Sequence, residues 1–456
     1  MPESTPPCAL GSPPAPASPE FPELKARGLR HLARWFYRPG EVLRAAQARH
    51  GNTFYTRLPS LGRALVTGEP AIVRATVTNP DLIGGRGTRF LRPLLGEDSL
   101  IILEGEAHRA RRKLLAPHFR NEAVRRFDAM TLQRAGAMLA RLRPGEVVSA
   151  AQLARDITLP LIVRLVFGKL DAATQSEAEA IVATLYHSFA NPLFLFLRPL
   201  QLRLGGLSPW GRLVANRRRL NRFIDARLDA LRTQRHDDDA HSVLAGLYRH
   251  GDGRKRQHIY HEVISLLLFG HDTGAVSLAW LFYHVHRDPR VLGTLRAELA
   301  DVTDLAAFCE SERSFCAACV RESLRLDPVV MHLTRIAVRD TEVAGLPVSR
   351  GQAILPSAWL AQRNPEIHAR PDEFDPWRFF EGRDDALENP YAFFPFGLGA
   401  RKCIGEPLAM RQLKLILARS VRDVPFELVH PTLPPERQML LIGPRGGTPL
   451  RVGNRP

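Results

Sequence analysis

The sequence predicts a mainly α-helical protein with a small β-rich lobe. Three observations carry that reading. Runs with apolar residues at helical spacing recur through most of the chain, 259–286 and 406–421 among them. Strand-like stretches are few and short, near 52–67 and after Arg335. No Pro/Gly/Ser-rich linker divides the 456-residue chain after residue 25. It therefore reads as a disordered proline-rich leader, 1–25, followed by one large domain, 26–456, with sub-lobes.

The leader combines proline with Ala, Ser and Gly, and such a composition buries too little apolar surface to fold. It lacks the basic region and apolar core of a signal peptide, and no run approaches the ~20 apolar residues of a membrane anchor. Helical spacing begins near Leu29 and runs over 33–50, with Gly51 as its stop signal. Residues 52–57 and 63–67 read as a hairpin around Pro59, Ser60, Leu61 and Gly62, and a short helix starts at Pro70. The stretch 120–250 reads as helical throughout. Within it 151–168 looks buried, 174–189 and 210–234 look amphipathic, and 191–197 is an apolar segment too short to span a bilayer.

The net charge of +16 favours anionic partners. The cations are dispersed, apart from 217–219 and 254–256, which read as solvated helix faces. A helical protein that binds polyanions such as nucleic acid rests on net charge alone. An acidic redox partner would use the same surface. Five cysteines, Cys8, Cys309, Cys316, Cys319 and Cys403, are too few and too odd in number for a disulfide framework, which points to a reducing, cytoplasmic setting. Cys316 and Cys319 form a C-x-x-C without a second ligand pair and read as two core thiols.

Residues 394–405 concentrate the chemistry. Phe394, Phe396, Gly397, Gly399, Arg401, Lys402, Cys403 and Gly405 place one sulfur among glycines, aromatics and cations, just before an apolar helical run. A helix N-terminus and the neighbouring Arg401 and Lys402 are expected to favour a thiolate. The glycines let the backbone approach a flat ligand closely. A thiolate, a close-approach loop and a buried helix together suit an iron porphyrin held through sulfur. The order Phe396, Gly399, Arg401, Cys403, Gly405 resembles the haem-binding signature of the cytochrome P450 family, and the likeness extends from about Leu29 to the end.

The resemblance implies the cytochrome P450 fold, with haem between a long distal helix and the cysteine-loop helix. It also implies heme b with Cys403 as axial ligand, and places Phe396, Gly397 and Arg401 around it. Residues 107–115 form a strongly basic helix in which His108 and Arg112 are four apart and share a face. Donors on one face suit the two haem carboxylates. His108 stands where the family usually has Trp, and Arg335 matches its second propionate-binding arginine.

In the distal helix, Gly270, Asp272 and Thr273 match the family's oxygen-activating pattern. A Thr there can bond back to the preceding turn and open the helix. By resemblance Thr273 steadies the oxygen being activated and Asp272 helps deliver protons. Phe269 and Gly274 depart from the pattern: Phe269 stands where a small residue is usual, and Gly274 where a second hydroxyl is usual. Phe269 is expected to narrow the substrate pocket.

Glu322 and Arg325, three apart on a helix stopped by Pro328, match a family pair that meets a later arginine, here Arg378. Val329, Val330 and Met331 are expected to face the substrate, and Leu441 to lie in a final hairpin dipping into the pocket. A strand-rich stretch with a turn near 344–347 lies between.

The implied activity is a monooxygenase that inserts one oxygen atom from O2 into an apolar small molecule, of terpenoid, fatty-acid, steroid or polyketide class. Electrons would come from a separate ferredoxin or flavodoxin-type donor with its reductase, docked near Arg401 and Lys402. The chain stops soon after the haem region, so no fused flavin or iron–sulfur domain is expected. Nor is a membrane anchor or nucleic acid, and the working form is expected to be a monomer. Phe269 and Gly274 suggest an alternative, a peroxide-dependent or isomerising haem-thiolate enzyme.

Overall fold

The strands come from widely separated parts of the chain, so the sheets tie its segments together. The computed structural model describes residues 21–24, 29–58, 61–188, 201, 208–233, 242–250, 256–380, 389–438 and 441–454. Most of the leader, the apolar segment 191–197, Cys8 and residues 439–440 lie outside them.

The strands are β1 (Thr53–Leu58), β2 (Gly62–Thr67), β3 (Leu82–Ile83), β4 (Val147–Ser149), β5 (Arg335–Ala337), β6 (Thr341–Val343), β7 (Leu346–Val348), β8 (Ala353–Pro356), β9 (Phe426–Leu428), β10 (Pro435–Gln438), β11 (Leu441–Pro444) and β12 (Pro449–Val452). A five-stranded sheet has the order β1-β2-β8-β5-β3, and a three-stranded one has β4-β12-β9. The expected hairpin is β1 and β2, and β8 joins it in parallel, pairing Ala64 with Ala353. The turn between β6 and β7 places Ala344 at φ 51° and Gly345 at φ 80°. Glycine carries no penalty there.

The main core is helical. It unites the back helix (Ala150–Phe167), the first and second distal helices (Arg256–Phe269 and Asp272–Arg287), the lock helix (Phe315–Leu326) and the cysteine helix (Glu406–Asp423). Cys309, Cys316 and Cys319 are buried in it as free thiols.

Several expectations are corrected. The helix expected over 33–50 is two, Leu29–Tyr37 and Pro39–His50, because Pro39 cannot continue the preceding turn. The stretch 120–250 is not wholly helical: β4 interrupts it, pairing with β12 near the C-terminus. The single helix expected over 259–286 is broken at Gly270 and His271. Taken together, Arg256–Arg287 is long and apolar enough to cross a membrane, contrary to the expectation that no run approaches that length. However, 72% of its most apolar window is buried inside the protein, as in a core helix.

Candidate active site

Cys403 follows a 3-10 turn, Gly399–Arg401, and precedes the cysteine helix. Backbone bonds close the loop: Gly397 N–H donates to Phe394 O (2.9 Å) and Cys403 N–H to Phe396 O (2.8 Å). Gly397 has φ 76°, and a Cβ there would also press on Leu333 at 3.2 Å. Only glycine makes that turn without strain. The result is an exposed cysteine at a helix N-terminus.

The surrounding protein atoms nevertheless push the Cys403 thiol up, against the pull of the Gly405 and Glu406 amides and of Arg112. Arg401 and Lys402 therefore do not act as expected. Lys402 pairs with Glu406 at 2.6 Å. Arg401 turns inward and donates to the carbonyls of Leu100 (3.2 Å), Ile101 (3.3 Å) and Leu103. The cation that favours the thiolate is Arg112, whose Nη1 donates to Lys402 O at 2.7 Å.

A second group of side chains gathers beside this loop. The basic helix (Gly105–Leu115) contributes buried His108 and half-buried Arg112, and β5 contributes buried Arg335. Burial, then the charges of Arg401, Arg112, Arg109 and Arg335, push His108 down to about 4. His108 is thus neutral at pH 7, a hydrogen-bond donor rather than a cation. Burial and the charge of Arg401 bring Arg335 down to about 10. At Gly84 a Cβ would meet both Arg335 (3.1 Å) and Arg401 (3.4 Å). Crowding like charges in a half-buried space is costly, and a pair of carboxylates would relieve it. An exposed sulfur and a convergent basic wall fit a haem with two propionates.

The distal helix breaks where it comes close to the back helix. A Cβ at Gly270 would come within 2.4 Å of Leu266 O and 2.5 Å of Ile162 on the back helix. Only glycine lets the helices approach so closely. Thr273 Oγ1 donates to Phe269 O at 2.9 Å, so the threonine bonds back into the preceding turn. Asp272 is buried, and its Oδ1 accepts from Arg155 Nε on the back helix at 2.9 Å. Tyr186 stands beside this pair, its phenol raised by burial and then by Asp272. Neither Arg155 nor Tyr186 was anticipated, since nothing in a lone Arg within a buried run or a lone Tyr on an amphipathic helix marks it as the partner of a distant acid. Phe269 is half-buried against the main core. A Cβ at Gly274 would meet nothing within 4 Å.

The lock is fully formed. Arg325 Nε and Nη2 donate to the two oxygens of Glu322 at 2.7 and 2.8 Å, and both side chains are 0% exposed. The other Arg325 donations reach the carbonyls of Gln362, Pro371 and Glu373. Arg378 Nε donates to Glu322 Oε1 at 3.2 Å. Gln362, also unanticipated, donates to Leu324 O and Arg325 O and accepts from Phe394 N–H at 3.0 Å. It thereby links the lock to the cysteine loop.

The apolar wall is only partly as expected. Val329 and Leu441 share one cluster with Val276, Trp280 and Tyr283 of the second distal helix. Met331 packs instead with Leu43, Phe54 and Trp359, and Val330 is 50% exposed. Residues 329 and 330 form a bend rather than a strand, so the three residues do not share one surface.

A family model described as Cytochrome P450 matches residues 29–449. The chain is 29% identical over 467 residues to "Putative cytochrome P450 135B1" of Mycobacterium bovis, covering 97% of this chain and 92% of that protein. It is 28% identical over 394 residues to "Putative cytochrome P450 138" of Mycobacterium tuberculosis, covering 83% of each. Its fold is similar to a solved structure titled "Retinoic acid bound cyanobacterial CYP120A1", with a TM-score of 0.79, 20% identity, and coverage of 96% of this chain and 100% of that one.

Proposed function

Since the chain belongs to the cytochrome P450 family and is a haem-thiolate monooxygenase, we propose that Cys403 would hold the haem iron through its sulfur and that its substrate is a fairly apolar small molecule. The haem, when bound, supplies the activation of O2 at its iron. The chain's own residues do the rest. His108, Arg112, Arg335 and Arg401 would hold the haem carboxylates, and Phe396 and Gly397 shape the cysteine loop. Thr273 keeps the distal turn open, and Asp272, held by Arg155, passes protons into it. Val329 and Leu441, with Trp280, form the apolar wall that excludes water and accepts a terpenoid, fatty-acid, steroid or polyketide substrate.

The observation that carries this reading is the exposed Cys403 at a helix N-terminus beside the basic wall. Reduced protein given carbon monoxide is expected to show the red-shifted absorption of a thiolate ligand, and Cys403→Ser to lose it. A serine variant with an unchanged spectrum would sink the assignment.

Electrons come from a separate donor of ferredoxin or flavodoxin type with its reductase. Exposed Arg109, Lys113 and Lys402 around the cysteine loop suit an acidic donor. Inward-turned Arg401 does not serve there. The working form is a cytoplasmic monomer comprising one domain over 26–456. The open space at Gly274 favours a second reading, a peroxide-dependent or isomerising enzyme. Turnover with a reductase system and NAD(P)H, set against peroxide alone, separates the two.

A further inference from the structure

The segment 96–103 crosses from the first distal helix to the cysteine loop and is pinned on both sides. On the distal side, Gly96 (φ 84°) lies flat on the His261 ring, where a Cβ would come within 2.0 Å. Ser265 Oγ donates to Ser99 Oγ at 2.6 Å. Glu262, only 1% exposed, accepts from Leu100 N–H at 2.9 Å and from Arg111 Nη1 at 3.1 Å. Arg111 Nη1 also donates to Asp98 O at 3.1 Å. On the other side, Arg401 grips the carbonyls of Leu100, Ile101 and Leu103. Leu100 is therefore shared, with its amide held by Glu262 and its carbonyl by Arg401.

A buried carboxylate is expensive to keep, and removing one partner of such a pair leaves the other uncompensated. The reaction itself gives Glu262 no part. We propose that Glu262 is a positioning residue for the haem pocket: it fixes 98–103, and through Leu100 holds the Arg401 guanidinium where it meets a haem carboxylate. This rests on the assignment of Arg401 given above. The link is a chain of direct hydrogen bonds through one residue, Leu100, so its effect should be readable as coupling between two distant side chains.

The test is the rate at which the purified full-length holoprotein transfers haem to excess apomyoglobin, followed by absorption. Glu262→Ala is expected to lose haem about tenfold faster than wild type. Glu262→Gln should fall between, because its amide oxygen still accepts from Leu100 N–H while Arg111 loses its charged partner. Gln257→Ala, on the same helix but exposed, should match wild type. Combined with Arg401→Lys, Glu262→Ala should add little to the single Arg401 change. An alanine variant within twofold of wild type overturns the proposal, as does a double variant in which the two effects simply multiply. If the alanine variant does not fold, the glutamine variant decides by the same cycle, and a wild-type rate there overturns it. A wild-type protein that binds no haem would instead overturn the cofactor site itself.

Discussion

Thr273 spends its hydroxyl proton on the Phe269 carbonyl, which ties the residue proposed to keep the distal turn open to the one unusual aromatic in the turn. Two outcomes follow at this scale. Thr273→Ala should divert reducing equivalents from product to hydrogen peroxide, seen as a several-fold fall in product formed per NAD(P)H consumed. Unchanged coupling would remove its role. Phe269→Ala should widen the range of ligands that shift the haem absorption band, and an identical ligand profile would count against the ring as a pocket wall. These residues could be singled out in the sequence because the family pattern places particular types at fixed spacing. The partners Arg155 and Tyr186 were not, since their meaning comes only from packing against Asp272.

At the scale of elements, the broken distal helix shows what spacing can and cannot reveal. Two glycines and a threonine marked the weak point, but apolar periodicity ran straight through it. At the break, Ile162 of the back helix occupies the space a Gly270 Cβ would need. Gly270→Ala should therefore cost about 1–3 kcal/mol through overpacking, against the small gain alanine gives an ordinary helix. A thermal melt equal to wild type would refute this. The neighbouring first distal helix carries a pH dependence. Burial pushes Glu262 up to about 7, outweighing Arg111. The folded protein then holds this proton more tightly than the unfolded chain, whose Glu titrates near ~4.3. Its stabilising contribution is full below ~4.3, fades as pH rises, and is gone above about 7, amounting to about 4 kcal/mol at most. Melting temperatures of wild type should fall relative to Glu262→Gln between pH 5 and 8 (about that window), and parallel curves would reject the effect. β4 was illegible for a related reason: a three-residue strand owes its existence to a partner far along the chain.

For the whole molecule, the lock of Glu322, Arg325 and Arg378 joins the lock helix to the carbonyls of 362–373, and Gln362 carries the connection to Phe394. Glu322→Ala leaves two buried guanidinium groups uncompensated and should destabilise the fold by about 3–5 kcal/mol, with haem loss. Denaturant midpoints within error of wild type would contradict it. Fold class and overall architecture were readable because helices dominate and their periodicity is local. Which strand meets which was not, because register across hundreds of residues leaves no mark in a single sequence. That same sheet pattern governs how the protein is made. β4 ends at Ser149, and its partner strand begins with Pro449, 300 residues later. On a ribosome adding roughly 5–20 residues per second, the nascent strand waits some 15 to 60 seconds (about) for its mate. Cys403 and Arg401 also emerge late, long after His108 and Arg112, so the proposed haem site is completed only near the end of translation.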